Sequence, residues 1–214
     1  MNTRPSKIVC VGRSYADHAK ELGNAVPDRP VLFIKPPSTL IGLDDGISWN
    51  KALGSCHYEC ELCLRIDAPL SHETDPQKAL QAIGAVTLGL DLTLRDLQTE
   101  LKNKGQPWER AKAFDRSCML ADWVDPSEIE DWQQAKYSFE VNGEIRQQGD
   151  TAFLLFSIAE LLCDMSQAFS LEAGDVVMTG TPAGVGALHS GDELTLTLKG
   201  KSQDFIWITF VKAD

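Results

Sequence analysis

The sequence predicts a β-rich, mixed α+β fold, and three observations carry that reading. Strand-like apolar runs outnumber helical segments. Asn142-Gly143, between two such runs, marks an antiparallel hairpin. Strands and helices do not alternate as a doubly wound parallel sheet requires. At 214 residues the simplest organisation is one domain, 1–214, long enough to bury a substantial core. No repeat, low-complexity tract or evident linker divides it.

Ile8-Val9-Cys10-Val11-Gly12 reads as a short buried strand ending at a glycine. A short helix is expected over Tyr15 to Leu22, with Ser14 as its N-cap and Gly23 as its stop. Val31 to Ile34 is a strand ended by Lys35-Pro36-Pro37. Tyr58 to Ile66 reads as one continuous strand. A helix over Pro76 to Ala82 and a strand over Ala85 to Leu92 follow. In the next helix, about Leu94 to Asn103, Thr93 and Asp96 occupy the positions of a capping-box variant. Lys136 to Val141 and Glu144 to Gln147 are the hairpin arms. Ser157 to Gln167 is an amphipathic helix. Val176 to Thr179 is a strand entering a glycine-rich loop, and Glu193 to Leu198 and Phe205 to Val211 close the fold.

The net charge of −11 argues against nucleic acid and anionic membranes as partners. It leaves room for a small anionic substrate, because a bound cation and a few local Arg or Lys residues reverse the field inside one cleft. The most apolar segment, Phe153 to Met165, is broken by Ser157, Glu160 and Asp164 and is too short to span a bilayer. The N-terminus lacks a signal-peptide core, so a cytoplasmic location is expected. Six cysteines are then free thiols rather than disulfides. Cys56, Cys60 and Cys63 have the spacing of an iron–sulfur loop. A strand there would put Cys56 and Cys60 on one face and Cys63 on the other, so they read as buried small hydrophobes.

Three carboxylates conflict with their apolar surroundings: Glu59, Glu61 and Asp91. Glu59 and Glu61 are two apart, on one strand face and about 7 Å apart along the chain. Acidic side chains are rarely buried unless paired or bound to metal. A hard divalent cation would account for all three; a charge-guarded edge strand is the other reading. Arg95 and Gln98, three apart on a helix, could hold a substrate carboxylate or form a solvated face. His18 and Glu21, beside Asp17, could act as a general base or belong to an ordinary surface helix. Gly180 to Gly186 lacks the P-loop and dinucleotide patterns, though its backbone could bind an anion. Lys112 is uninformative alone.

In combination these segments say more. Their order is Val11-Gly12-Arg13-Ser14-Tyr15-Ala16-Asp17-His18, Phe33-Ile34-Lys35-Pro36, then His57-Tyr58-Glu59-Cys60-Glu61-Leu62. Asp91-Leu92-Thr93-Leu94-Arg95-Asp96-Leu97-Gln98 follows, then Gly105-Gln106-Pro107-Trp108 with Ala111-Lys112-Ala113-Phe114-Asp115, and Gly174-Asp175 to Gly186. The series resembles the fumarylacetoacetate hydrolase family, especially its short acylpyruvase and oxaloacetate-decarboxylase branch, over nearly the whole chain. Two positions depart from the pattern. Ser14 stands where many relatives have Asn, and Leu62 to Asp67 lacks a glycine often found there.

The resemblance implies a β-roll or sandwich with short flanking helices, usually in a homodimer. It implies Mg²⁺ or Mn²⁺ on Glu59, Glu61 and Asp91. His18 and Glu21 match a water-activating pair on a segment that closes over substrate, and Lys112 an active-site lysine. Arg13, Arg95, Gln98 and Thr181 match substrate-contacting positions. The implied substrate is a small 2-oxo acid. The expected reactions are hydrolysis of acylpyruvates, and decarboxylation or tautomerisation of oxaloacetate, with the cation stabilising the enolate. The alternatives are an isomerase or decarboxylase of hydroxymuconate-type diacids, and a catalytically silent metal- or ligand-binding module.

Overall fold

The computed structural model describes residues 4–16 and 26–213. From position 17 onward, the helix expected over Tyr15 to Leu22 lies outside the described residues. In chain order the elements begin with β1 (Ile8–Gly12), β2 (Val31–Lys35), β3 (Leu40–Ile41), β4 (Cys56–Tyr58) and β5 (Cys60–Ile66). Next come α1 (Pro76–Gln81), β6 (Ile83–Asp91), β7 (Thr93–Leu94), α2 (Arg95–Asn103), α3 (Glu109–Lys112) and β8 (Cys118–Leu120). The C-terminal part holds β9 (Lys136–Val141), β10 (Glu144–Asp150), α4 (Ile158–Ala168), β11 (Val176–Met178), β12 (Gly186–Ala187), β13 (Glu193–Lys199) and β14 (Asp204–Phe210).

The strands form a seven-stranded sheet in the order β2-β1-β11-β5-β6-β8-β3, a four-stranded sheet β10-β9-β13-β14, and a small sheet β12-β4-β7. Pairing is antiparallel except for β1 with β11 and β3 with β8. This is the sheet-rich α+β architecture that the sequence predicts. No helix among the described residues is long and apolar enough to cross a membrane.

Period-two alternation divides the large sheet into two faces. Leu62, Leu64 and Ile66 of β5 and Val86, Leu88 and Leu90 of β6 join the main core. There they meet Tyr137, Phe139, Leu194, Leu196 and Leu198 of the four-stranded sheet. Ile158, Leu161, Leu162 and Met165 of α4 enter the same core. Burying a side chain of this size contributes roughly 1.5–3 kcal/mol. Ser157 and Glu160 cap α4 reciprocally. Ile8, Cys10, Cys63, Cys118, Val176 and Met178 form a second cluster on the opposite face. Cys56 and Cys60 belong to the first cluster and Cys63 to the second, and all six cysteines are free thiols. At the hairpin, Asn142 and Gly143 have φ of 54° and 76°, as a type I′ turn requires.

Two local expectations are corrected. The strand expected over Tyr58 to Ile66 is interrupted at Glu59. β4 pairs with β7 and β12, whereas β5 pairs with β6 and β11, so the chain changes sheets at that residue. The Thr93–Asp96 cap does not form: Leu94 is the N-cap of α2, without a side-chain bond. Thr93 Oγ1 instead donates to the Asp91 carbonyl at 3.1 Å and accepts from Lys112 Nζ at 2.7 Å. A buried ammonium outcompetes the helix terminus for this hydroxyl.

Candidate metal centre and substrate cleft

The β5–β6 register brings the three carboxylates together. Glu61 faces Gly89 across the ladder, and the Asp91 N–H donates to the Glu59 carbonyl at 2.9 Å. Glu59, Glu61 and Asp91 are therefore neighbours on one sheet face. One oxygen of each lies within 4.8 Å of the others, and all three residues are buried. Despite the interruption of the strand at Glu59, the same-face reading of Glu59 and Glu61 survives.

Three cations approach this cluster. Lys112, at the end of α3, places Nζ 2.6 Å from Glu59 Oε2 and 2.6 Å from Asp91 Oδ2. Burial alone would lower the Lys112 pKa, but the facing Asp91 and Glu59 outweigh it and hold the pKa above its ordinary value. Lys112 is a charged ammonium here. Arg95 pairs with Glu59 Oε1 and donates to Gln98 Oε1 at 2.7 Å, so these residues share a helix face that points inward. Lys35 is fully buried, 2.7 Å from Asp91 Oδ1. It also donates to the Lys112 carbonyl and to the Ser117 carbonyl at 2.9 Å.

Glu61 is treated differently. Its Oε2 accepts the Gly180 N–H at 2.6 Å, and it forms no ion pair among the described residues. Burial first, then Asp91 and Glu59, push its carboxyl well above the usual range. Three hard oxygen donors, one of them short of positive charge, fit a divalent cation of the magnesium or manganese kind.

Backbone geometry fixes the loop that reaches Glu61. Gly180 has φ of 95°, and a Cβ there would fall 2.3 Å from Ser14 Cβ. Only glycine can present its N–H at that position. Ser14 donates to the Thr179 carbonyl at 2.6 Å. Thr181 Oγ1 donates to the Cys60 carbonyl at 2.8 Å and accepts from Gln147 Nε2 at 2.8 Å. Gln147 Oε1 in turn accepts the Cys60 N–H at 2.9 Å. A β-bulge between Ile145 and Gln147 turns this amide inward.

Arg13, Arg95, Gln98, Lys112 and Thr181 all line one cleft with Glu59. Arg13 has φ of 57°, a left-handed conformation costing an L-residue roughly 1–2 kcal/mol. Phe33 and Trp108 wall the cleft, their ring centroids 5.9 Å apart. The structure thus gathers eight of the ten residues singled out in the sequence. His18 and Glu21 lie outside the described residues. Sequence reasoning missed Lys35 and Gln147 as parts of the site. Lys35 stood in a quoted motif without a role; for Gln147 no sequence signal existed.

The fumarylacetoacetate (FAA) hydrolase C-terminal family matches residues 7–204. The chain belongs to that family. Among its curated members, oxaloacetate tautomerase YcgM of Escherichia coli (strain K12) is 50% identical over 198 residues, 92% of this chain and 90% of that one. The structure of fumarylpyruvate hydrolase from Pseudomonas aeruginosa, in complex with Mn²⁺ and pyruvate, is 32% identical with a TM-score of 0.88. That match covers 97% of this chain and 90% of the hydrolase. The structure of 5-carboxymethyl-2-hydroxymuconate delta-isomerase from Mycobacterium smegmatis is 33% identical with a TM-score of 0.83, covering 99% and 80%. Family members of this architecture thus carry tautomerase, hydrolase and isomerase names.

Proposed function

We propose that this chain, as one catalytic domain over 1–214, is a divalent-metal-dependent enzyme acting on 2-oxo acids. Glu59, Glu61 and Asp91 would hold Mg²⁺ or Mn²⁺. The observation that carries this is the set of three buried carboxylates, of which Glu59 lines a cleft that Arg13, Arg95 and Lys112 also line. YcgM, as an oxaloacetate tautomerase, supports oxaloacetate as substrate, and the Mn²⁺–pyruvate complex of fumarylpyruvate hydrolase supports a pyruvate-like head group. Acylpyruvate hydrolysis is a second activity of the same site. A homodimer and a cytoplasmic location belong to the same proposal.

When bound, the cation supplies Lewis acidity that favours the enolate of the 2-oxo acid. Arg95 and Gln98, locked to each other, orient the substrate carboxylate. Lys112 is held charged and stabilises an oxygen that gains negative charge. Thr181 lines the cleft with Arg95 and Gln98, on the loop whose Gly180 N–H meets Glu61. Glu21 and His18 move the proton: for an acylpyruvate they activate the attacking water, and for oxaloacetate decarboxylation no water is needed.

A panel of oxaloacetate, acetylpyruvate and a hydroxymuconate-type diacid tests this, with Mg²⁺, Mn²⁺ or chelator. The enol–keto change of oxaloacetate and the release of pyruvate are followed. Turnover that requires metal and disappears in Asp91→Ala is expected. His18→Ala should harm hydrolysis more than decarboxylation. Metal binding without turnover of any member would leave only the silent-module reading, and turnover of the diacid alone would favour the isomerase.

A further inference from the structure

We infer that His57 is a positioning residue for Arg95: its Nδ1 is the acceptor for the Arg95 Nε–H and sets the plane in which the guanidinium meets a carboxylate. The inference rests on the proposed carboxylate-holding role of Arg95 and adds a residue to it.

The first observation is register. His57 on β4 stands opposite Thr93 on β7. The Arg95 N–H donates to the Ser55 carbonyl at 3.3 Å, so the ladder continues past β7 and sets Arg95 beside Ser55. His57 and Arg95 are then diagonal neighbours on one face, roughly 7–8 Å apart, a gap that a long side chain spans. Thr93, on the same face, meets Lys112, so this face looks toward the carboxylate cluster. To reach Glu59 from the level of Ser55, the Arg95 side chain runs past His57. After burial, the strongest influence on the His57 ring is the Arg95 charge, ahead of those of Glu59 and Asp96.

The second observation is a matched pair of unmet bonds. Arg95 Nη1 donates to Gln98 Oε1 at 2.7 Å, and Nη2 donates to Glu59 Oε1. Arg95 Nε is buried and has no hydrogen-bond partner among the described residues, and the same holds for His57 Nδ1. A guanidinium Nε–H can only donate, and an imidazole with its proton on Nε2 accepts at Nδ1. A buried donor and a buried acceptor on facing residues, each costly by itself, complete each other.

The consequence is for aim. A guanidinium held only at its two Nη groups pivots about that edge, whereas an acceptor at Nε fixes its plane. A planar fork matches a carboxylate only when the plane is right. Gln98 holds the group from α2 and His57 from β4, so two elements aim it.

The test compares wild type, His57→Leu and His57→Asn. Leucine keeps the bulk and removes the acceptor; asparagine puts a carbonyl oxygen near the place of Nδ1. In calorimetry with oxalate and Mg²⁺-loaded protein, affinity should fall roughly tenfold in His57→Leu and largely return in His57→Asn. Mg²⁺ affinity without oxalate should be the same in all three. On oxaloacetate, KM should rise more than kcat falls. In an Arg95→Lys background, which lacks the Nε–H, His57→Leu should add nothing. Unchanged oxalate affinity, equal weakness of both variants, or a parallel loss of Mg²⁺ affinity would overturn the inference. A ¹⁵N spectrum of the wild type needs no variant to fold. There the Arg95 Nε–H should exchange slowly and His57 Nδ1 should carry no proton; a proton on Nδ1 would overturn the inference as well. If the protein bound no oxalate and turned over no substrate, the enzyme reading would fall, while the ¹⁵N result would still decide the role of His57.

Discussion

A buried carboxylate stands near each end of β11, and the two are treated oppositely. Asp175, just before the strand, accepts from the Ser6 N–H and hydroxyl, the Lys7 N–H and ammonium, and the Glu172 N–H, at 2.6 to 3.1 Å. Glu61, reached by the loop after the strand, accepts from Gly180 N–H and stands against two other carboxylates. Burial alone would raise both. Lys7 and its neighbouring donors reverse this for Asp175 and hold it below the usual carboxylate range. Glu61 has no such reversal. Burial of acid is thus not itself a sign of function; the sign is a buried acid whose charge the protein leaves uncompensated.

Neutralising each acid is the sharpest way to break this contrast. Glu61→Gln should weaken Mg²⁺ or Mn²⁺ binding by more than the roughly hundredfold that loss of an outer-shell partner costs. It should not destabilise the metal-free protein, because it removes an unpaired buried charge. Asp175→Ala should do the reverse. It leaves several donors without an acceptor and should cost about 2–3 kcal/mol in denaturant unfolding, with metal affinity unchanged. A destabilised Glu61→Gln, or an Asp175→Ala that loses metal, would erase the distinction.

Acid titration adds a smaller effect. The folded-state pKa of Asp175 lies below its unfolded value of about 3.9. Its contribution is complete above that value and is lost as pH falls through the folded pKa. Unfolding midpoints of wild type and Asp175→Ala should therefore converge below about pH 4 and stay separated at neutral pH. The smallest expected change is Ser14→Ala. It removes one hydrogen bond to the Thr179 carbonyl and should cost about 1 kcal/mol.

The carboxylate triad was legible because it contradicts its context: acids in strands that otherwise alternate or run apolar. Arg95 and Gln98 were legible as a helix face, but not that the face points inward, since spacing sets phase and packing sets direction. Lys35 looks in sequence like a charge that ends a strand at Pro36, yet it is fully buried beside Asp91. The Gln147–Cys60 bond joins positions 87 apart through a bulge that no local residue preference announces. The Thr93–Asp96 cap failed because a local rule met a buried lysine arriving from another element. The strand break at Glu59 was hidden for a similar reason: β4 and β5 read as one apolar run, and only the partner strands divide them.

The sulfur-rich cluster beside the triad has a consequence for the thiols themselves. Cys118 sits opposite Asp91 in the β6–β8 register, with Cys10 and Cys63 beside it. Burial first pushes the Cys118 thiol up to about 12, and Asp91 opposes the ease that Lys35 provides. Burial and Asp91 likewise raise Cys10. A thiol that keeps its proton is a poor nucleophile. The same negative field that would favour a hard cation keeps the proton on the nearby thiols. Cys10, Cys63 and Cys118 thus pack beside the carboxylates as protonated thiols, chemically quiet filler on that face of the sheet.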